Sequence, residues 1–229
     1  ITGMGIISPS GKNLQEFWNN ITSGVCCISK LEGLEKDGLP INVAARVKDF
    51  DPLQCGLTIQ ERRRNDLYAQ FALAAAAQAM EASGIVSGEN VEPDRFGVYV
   101  GSGIGGINTQ IQQTKVCFEE GASRISPLYI PMIIVNIAGG NIAIKYNAQG
   151  PCLTHASACA TSTNSIGEAF LAIKNGRADV ILTGGSEAPI NTMAVGGFSS
   201  AKALTTESDP MKACLPFDRR RGGFVMGEG

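Results

Sequence analysis

Seven cysteines and one histidine supply the thiols and the imidazole of this 229-residue chain, and only Cys159 stands where a thiol could do chemistry. It lies in Ala156-Ser-Ala-Cys159-Ala-Thr-Ser-Thr-Asn164, where small side chains on both sides leave its sulfur approachable. The residues before it read as a strand, Cys152 to Ala158, and those after it as a helix, Ala160 to Asn175. A thiol at that junction faces several backbone N–H groups with no intrahelical partner. Those groups favour the thiolate, and they could also hold the oxyanion that forms when a thioester is attacked. The arrangement is the sulfur counterpart of a serine nucleophile elbow. A small buried cysteine would fit the same residues, since free cysteines are often core residues. None of the other six shares this setting.

A cysteine nucleophile needs a base. His155 is four residues upstream on the same expected strand, which separates the two side chains by roughly 13 Å. It is therefore expected to be structural, and any catalytic histidine is expected beyond Gly229. The cysteines are odd in number, Cys26 and Cys27 are adjacent, and no CxxC pair occurs, so no metal and no cofactor is expected. Free thiols in such a chain point to a reducing compartment, and the cytoplasm is the expected location.

The elements that must position this turn alternate. Ile1 to Ile7 reads as a short strand, and Asn13 to Ser23 as a helix with Leu14, Phe17, Trp18 and Ile21 on one face. A polar, Gly- and Lys-containing stretch continues to about residue 40. Leu67 to Ser83 is an Ala-rich helix stopped by Gly84. Phe96 to Val100 is a buried strand, Leu128 to Tyr146 an apolar helical stretch containing Pro131 and Gly139-Gly140, and Val180 to Thr183 a further strand. Gly222 to Gly229 reads as a turn entering a strand. Alternation of this kind predicts an α/β domain around a mostly parallel sheet. A net charge of −2 argues against a nucleic-acid binder. The longest apolar run, Ile130 to Ile144, is too short to span a membrane. The chain opens on Ile1 without an initiator Met or basic leader, so no signal peptide is expected.

Other patterns invite rival chemistry. Gly101-Ser-Gly-Ile-Gly-Gly106 satisfies GxGxxG after a strand, and Glu119 and Glu120 lie at a suitable distance for a ribose contact. That makes a dinucleotide-binding oxidoreductase the rival enzyme, although the opening segment lacks the third glycine such a unit uses. Arg62-Arg63-Arg64 and Arg219-Arg220-Arg221 suit solvated surfaces as well as binding patches. Glu187 and Glu228 could form an acid pair, but are expected to hold turns.

Eight motifs follow in order: Thr2-Gly-Met-Gly5, Val100-Gly-Ser-Gly-Ile-Gly-Gly106, Ile125-Ser-Pro127, Gly150-Pro151, Ala158-Cys159-Ala-Thr-Ser162, Gly184-Gly-Ser-Glu187, Gly196-Gly-Phe198 and Pro216-Phe-Asp218. Together the chain resembles the β-ketoacyl-acyl carrier protein synthases, nearest the type II bacterial elongation enzymes, from residue 1 to 229 and over about half of a family chain. The resemblance implies a thiolase-like α/β fold. Residues 1–229 would be its N-terminal half, a five-stranded mixed sheet flanked by helices, with the C-terminal half absent. It implies decarboxylative Claisen condensation of acyl and malonyl thioesters on acyl carrier protein, with Cys159 as the acylated nucleophile. In the family, two assisting histidines and the second oxyanion N–H come from the other half, so this chain alone is expected to be inactive. Ile104 and Phe198 match acyl-pocket walls, and both are apolar as an aliphatic chain requires. Arg63, Arg64 and Lys202 match basic positions that dock the acidic carrier. Gln60 replaces a further basic docking residue, and Gly222 stands where the family often has an acidic or amide side chain. The family also implies a homodimer joined through Cys152 to Ala158, with His155 at the interface. The alternative from another class is a non-catalytic dimerisation and carrier-binding module of a polyketide-type synthase, against which Cys159 argues.

Overall fold

The computed structural model describes residues 1–34 and 38–229, so residues 35–37 of the polar stretch lie outside the described residues. In chain order these form α1 (Leu14–Thr22), the short strands β1 (Ser29–Lys30) and β2 (Val43–Ala44), α2 (Ile59–Arg64) and α3 (Leu67–Ser83). There follow β3 (Phe96–Gly101), α4 (Ile107–Glu120), α5 (Tyr129–Ile133), α6 (Ile137–Lys145) and β4 (Cys152–Leu153). The last are α7 (Thr161–Lys174), β5 (Val180–Gly185), α8 (Thr192–Ser200) and α9 (Pro210–Ala213). Two compact units result, one of Ile1–Ile7 with Asp51–Ala188 and the other of Ser8–Phe50 with Pro189–Gly229.

In the first unit β3 is the central strand of a parallel sheet ordered β4-β3-β5. All six of its residues are buried, as a parallel strand covered on both faces requires. Phe96 to Gly101 pair in register with Val180 to Gly185, and Val98 and Tyr99 pair with Cys152 and Leu153. Helix α6 packs on β3, while α7 packs on β3 and β5. Helix α3 has the bounds that its alanine run and Gly84 predict. Gly84 adopts a left-handed φ of 64° and donates its N–H to Met80 and Glu81, the turn for which glycine is preferred.

Several expectations need correction. Ile1 to Ile7 forms no ladder; it lies on α3 instead. The Gln78 amide donates to the Ile6 carbonyl and accepts from the Ile6 N–H, at 3.2 and 3.1 Å. Side chains on Gly3 or Gly5 would collide with the carbonyls of Ala79 and Ala75. The apolar stretch from Leu128 is two helices, because Ile134 turns extended between them. Pro131 is tolerated in the first turn of α5, where an N–H has no intrahelical acceptor. Of Cys152 to Ala158 only the first two residues pair; Thr154 then gives its hydroxyl to the Val100 carbonyl at 3.2 Å. Five strands occur among the described residues, divided between the three-stranded parallel sheet and the antiparallel β1-β2 pair.

The second unit contains that pair, α1, α8 and α9. Asn13 caps α1 by accepting the Glu16 N–H, yet no residue of α1 is buried, and Trp18 and Ile21 are exposed. Gly222 to Gly229 makes isolated bridges rather than a strand, Phe224 to Leu204 and Gly227 to Ala45. Glu228 accepts the Val47 N–H at 3.0 Å.

Candidate active site

Between β4 and α7 the chain makes a tight 3-10 turn, Ala158–Ala160, and α7 starts at Thr161. Ala158 has a φ of 50°, a left-handed conformation costing a non-glycine residue about 1–2 kcal/mol. Strain of this kind persists only where neighbours enforce it. Here the Thr161 hydroxyl accepts the Ser157 N–H at 2.9 Å, and the Asn164 amide donates to the Ser157 hydroxyl at 2.6 Å. The residue after this strained position is Cys159, and its side chain is exposed. The sequence therefore located the turn correctly, while the strain at Ala158 and the part played by Asn164 went unread. The Ser157–Asn164 spacing, two helical turns, was the only local signal.

Beside the turn runs the glycine loop that follows β3. A Cβ on Gly103 would lie 3.5 Å from the Ala158 backbone and 2.8 Å from a Glu187 carboxylate oxygen. The contact with Ala158 would be an ordinary van der Waals one, but a side chain here would crowd the Glu187 carboxylate. Glu187, just past β5, accepts the Ser102 hydroxyl at 2.8 Å on one oxygen. Its other oxygen accepts the N–H groups of Gly103 at 2.7 Å and Ile104 at 3.0 Å. The remaining N–H groups of the loop are also taken: Gly105 donates to Ser102, Gly106 to Ile133 and Ile107 to Gly105. A dinucleotide fingerprint needs such donors for a diphosphate. With a carboxylate already in that place, the GxGxxG pattern is not a phosphate cradle. Glu187 holds a loop, as expected.

His155 packs near Tyr99, with ring centroids 5.8 Å apart, and its Nδ1 is buried without a hydrogen-bond partner. Beneath the loop, Asp66 at the start of α3 is buried and accepts both the N–H and the hydroxyl of Thr109, at 2.7 and 2.6 Å. Burial, reinforced by the charges of Asp66 and Glu187, pushes the Tyr68 phenol well up. It remains a donor, giving its proton to the Ile134 carbonyl at 2.7 Å. Among the described residues no cluster of three or more His, Cys, Asp or Glu side chains could hold a metal ion.

The other named positions fall in both units. In the first, Ile104 is exposed in the loop, and Arg63 and Arg64 are exposed in the last turn of α2. That helix is fixed by a Thr58–Glu61 capping box and by a Glu61–Lys145 ion pair of 2.9 Å. Burial raises the Glu61 carboxyl, but Thr58 and Lys145 together bring it below its ordinary value. In the second unit, Phe198 meets Phe224 edge to face, with centroids 5.4 Å apart. Lys202 ends α8 with a left-handed φ of 54°. The N–H groups of Lys202 and Ala203 return to the carbonyls of Ser199 and Phe198, so Lys202 occupies the site usually given to glycine.

The structure thus joins an α/β fold to an exposed cysteine on a strained strand-to-helix turn. The Beta-ketoacyl synthase, N-terminal domain, family matches residues 1–229, and the chain belongs to that family. It is 42% identical over 229 residues to a 3-oxoacyl-[acyl-carrier-protein] synthase 2 of Staphylococcus aureus, covering 100% of this chain and 56% of the relative. To the protein of that name from Coxiella burnetii it is 37% identical over 230 residues, covering 100% of this chain and 55% of the relative. The chain thus spans about half the length of these relatives. A crystal structure of a β-ketoacyl synthase from Burkholderia phymatum STM815 superposes with a TM-score of 0.86 at 23% identity, over 99% of this chain and 56% of that one. A type II PKS acyl-carrier protein in complex with its ketosynthase gives a TM-score of 0.84 at 28% identity, over 99% and 54%.

Proposed function

We propose that this chain supplies the nucleophile-bearing, N-terminal half of a 3-oxoacyl-acyl carrier protein synthase of fatty acid elongation. The Cys159 thiolate attacks the thioester of an acyl-carrier substrate. A new carbon–sulfur bond forms as the bond to the carrier sulfur breaks, the carrier leaves as its thiolate and takes a proton from water, and the Cys159 N–H supplies half of the oxyanion hole. Malonyl-carrier then loses CO2, and the resulting carbanion displaces Cys159 to give the 3-oxoacyl product. The assisting histidines and the second oxyanion donor belong to the other half. The observation that carries this reading is an exposed thiol held at the start of α7 by the strained Ala158 turn.

Ile104 and Phe198 are assigned to the acyl pocket, and Arg63, Arg64 and Lys202 to docking of an acidic acyl carrier protein. The exposure of the two arginines on a well-capped helix supports the docking role, as does a related ketosynthase solved with its carrier protein. A homodimer is proposed through β4, an edge strand with both residues exposed. Helix α7 supports it by presenting Ile166, Phe170 and Ile173 outward. Among the described residues no helix is long and apolar enough to cross a membrane, and the proposed site of action is the cytoplasm.

Acylation tests the reading. The natural polypeptide carrying this sequence, incubated with radiolabelled acyl-carrier thioester and digested, should carry label on the Cys159 peptide and lose it in Cys159→Ser. A folded wild type that stays unlabelled would sink the proposal and favour the non-catalytic module.

A further inference from the structure

The contacts of Glu187 reach further than holding a turn. Its carboxylate takes three donors from three consecutive residues, Ser102, Gly103 and Ile104, which lie more than eighty positions earlier in the chain. Two successive backbone N–H groups converging on one oxygen form an anion nest, normally the place of a bound phosphate or carboxylate ligand. Here the anion belongs to the protein itself. Ser102 extends the hold, because its oxygen accepts the Gly105 N–H at 3.0 Å while its proton goes to Glu187. The segment from Ser102 to Gly105 therefore hangs on one side chain.

That segment is the one that touches the nucleophile turn. Gly103 lies against Ala158. One residue further along each strand of that contact stand Ile104 and Cys159. The direction of the Ile104 side chain relative to the thiol is thus set by a backbone conformation that Glu187 holds. Elsewhere Ile104 is poorly restrained: it is 40% exposed, and glycines flank it on both sides. Glycine-rich backbone has no intrinsic preference strong enough to fix such a direction.

We propose that Glu187 is a positioning residue for acyl-chain selection, its carboxylate holding the Ser102–Gly105 loop so that Ile104 presents a fixed wall to the chain carried by Cys159. This rests on the acyl-enzyme reading above. Charge is part of the device, because an ionised acceptor binds backbone N–H groups more strongly than a neutral one. In Glu187→Gln the amide oxygen can serve only one of the two edges. Glu187→Ala removes all three bonds.

The test is a chain-length profile combined with a double-mutant cycle, using the natural polypeptide that carries this sequence. Rates of label transfer to Cys159 are measured for short, medium and long acyl-carrier thioesters, and expressed as ratios of kcat/KM. Wild type should discriminate among lengths. Glu187→Ala should reduce that discrimination on the order of tenfold, the scale at which a pocket wall acts, and Glu187→Gln should reduce it less. Ile104→Ala should flatten the profile in the same way. In the double variant the profile should match that of Ile104→Ala alone, since a residue acting through Ile104 has nothing left to act on. Should Glu187→Ala fail to fold, Glu187→Gln carries the same comparison, and faster hydrogen exchange at the Gly103 and Ile104 amides reports the loosened loop. An unchanged profile in a folded Glu187 variant, or effects that add in the double variant, overturns the inference while leaving Cys159 acylation intact. Absence of label on wild-type Cys159 removes the acyl-enzyme reading and this inference with it.

Discussion

Helices α3 and α7 both rest against β5 and both are rich in small residues, yet they place their bulk on opposite sides. Helix α3 buries Tyr68, Phe71, Leu73 and Met80. Helix α7 turns Thr161, Ser165, Ala169 and Ala172 inward, where Ala169 and Ala172 pack on Tyr99. Its large side chains Ile166, Phe170, Leu171 and Ile173 remain exposed. The spacing explains the inversion: positions i, i+4, i+8 and i+11 form one stripe, and Ile166, Phe170 and Ile173 form another. A small-residue face lets α7 lie close to the sheet and so brings Cys159 down to the glycine loop. The apolar bulk left outside has the character of a surface made to be covered. One helix completes its own core; the other leaves its apolar bulk exposed.

The largest expected effect separates the two faces. Phe71 is 1% exposed, so Phe71→Ala should cost about 3–5 kcal/mol through lost burial and the cavity left behind. Phe170→Ala should lower protomer stability by no more than about 0.5 kcal/mol, as at an ordinary surface position. Its effect should instead appear in assembly, with Phe170→Glu shifting sedimentation toward the protomer. Chemical denaturation at several protein concentrations distinguishes them: the Phe71 loss is independent of concentration, and the Phe170 loss is not. A large, concentration-independent loss at Phe170 would make α7 an ordinary core helix.

The two helix starts differ as sharply. Helix α3 begins at Asp66, whose carboxylate is buried and satisfies Thr109 twice. Asp66→Ala strands a buried N–H and a buried hydroxyl, and should cost about 1–3 kcal/mol in thermal unfolding. Helix α7 begins with strain rather than a cap: Ala160 offers no side-chain acceptor, and Ala158 is left-handed. Ala158→Val, with a β-branched side chain at positive φ, should cost about 1–2 kcal/mol and displace Cys159, so acylation should fall further than stability does. Ala158→Gly should keep acylation, because glycine adopts that conformation without strain. Equal acylation in the valine variant would detach the turn from the chemistry.

What the sequence disclosed follows the same division. Helix α3 was legible to the residue, because an alanine run and a terminal glycine act locally. The turn at Cys159 was legible too, as were the buried β3 and the β5 that pairs with it. Ile1 to Ile7 misled, since the partner of its backbone is the side chain of Gln78, 72 residues away. Helix α1 forms where its spacing predicts, but an apolar stripe does not say what covers it, and none of its residues is buried. The hold of Glu187 on the glycine loop depends on two segments that only the folded chain brings together. Local chemistry could be read from the order of residues, but the pairing of distant polar groups could not.

The smallest effect lies under α7. Ser165 is fully buried on the face that meets the sheet, and its hydroxyl has no hydrogen-bond partner. An unpaired hydroxyl in such a place costs free energy that an apolar group of the same size avoids. Ser165→Ala removes one oxygen, leaves the close approach of helix and sheet intact, and raises helix propensity slightly. Stability should therefore rise by about 1 kcal/mol, with acylation of Cys159 unchanged. If thermal unfolding shows a loss instead, the hydroxyl has a partner in the folded protein, and the inner face of α7 is held by more than the fit of small side chains against Tyr99.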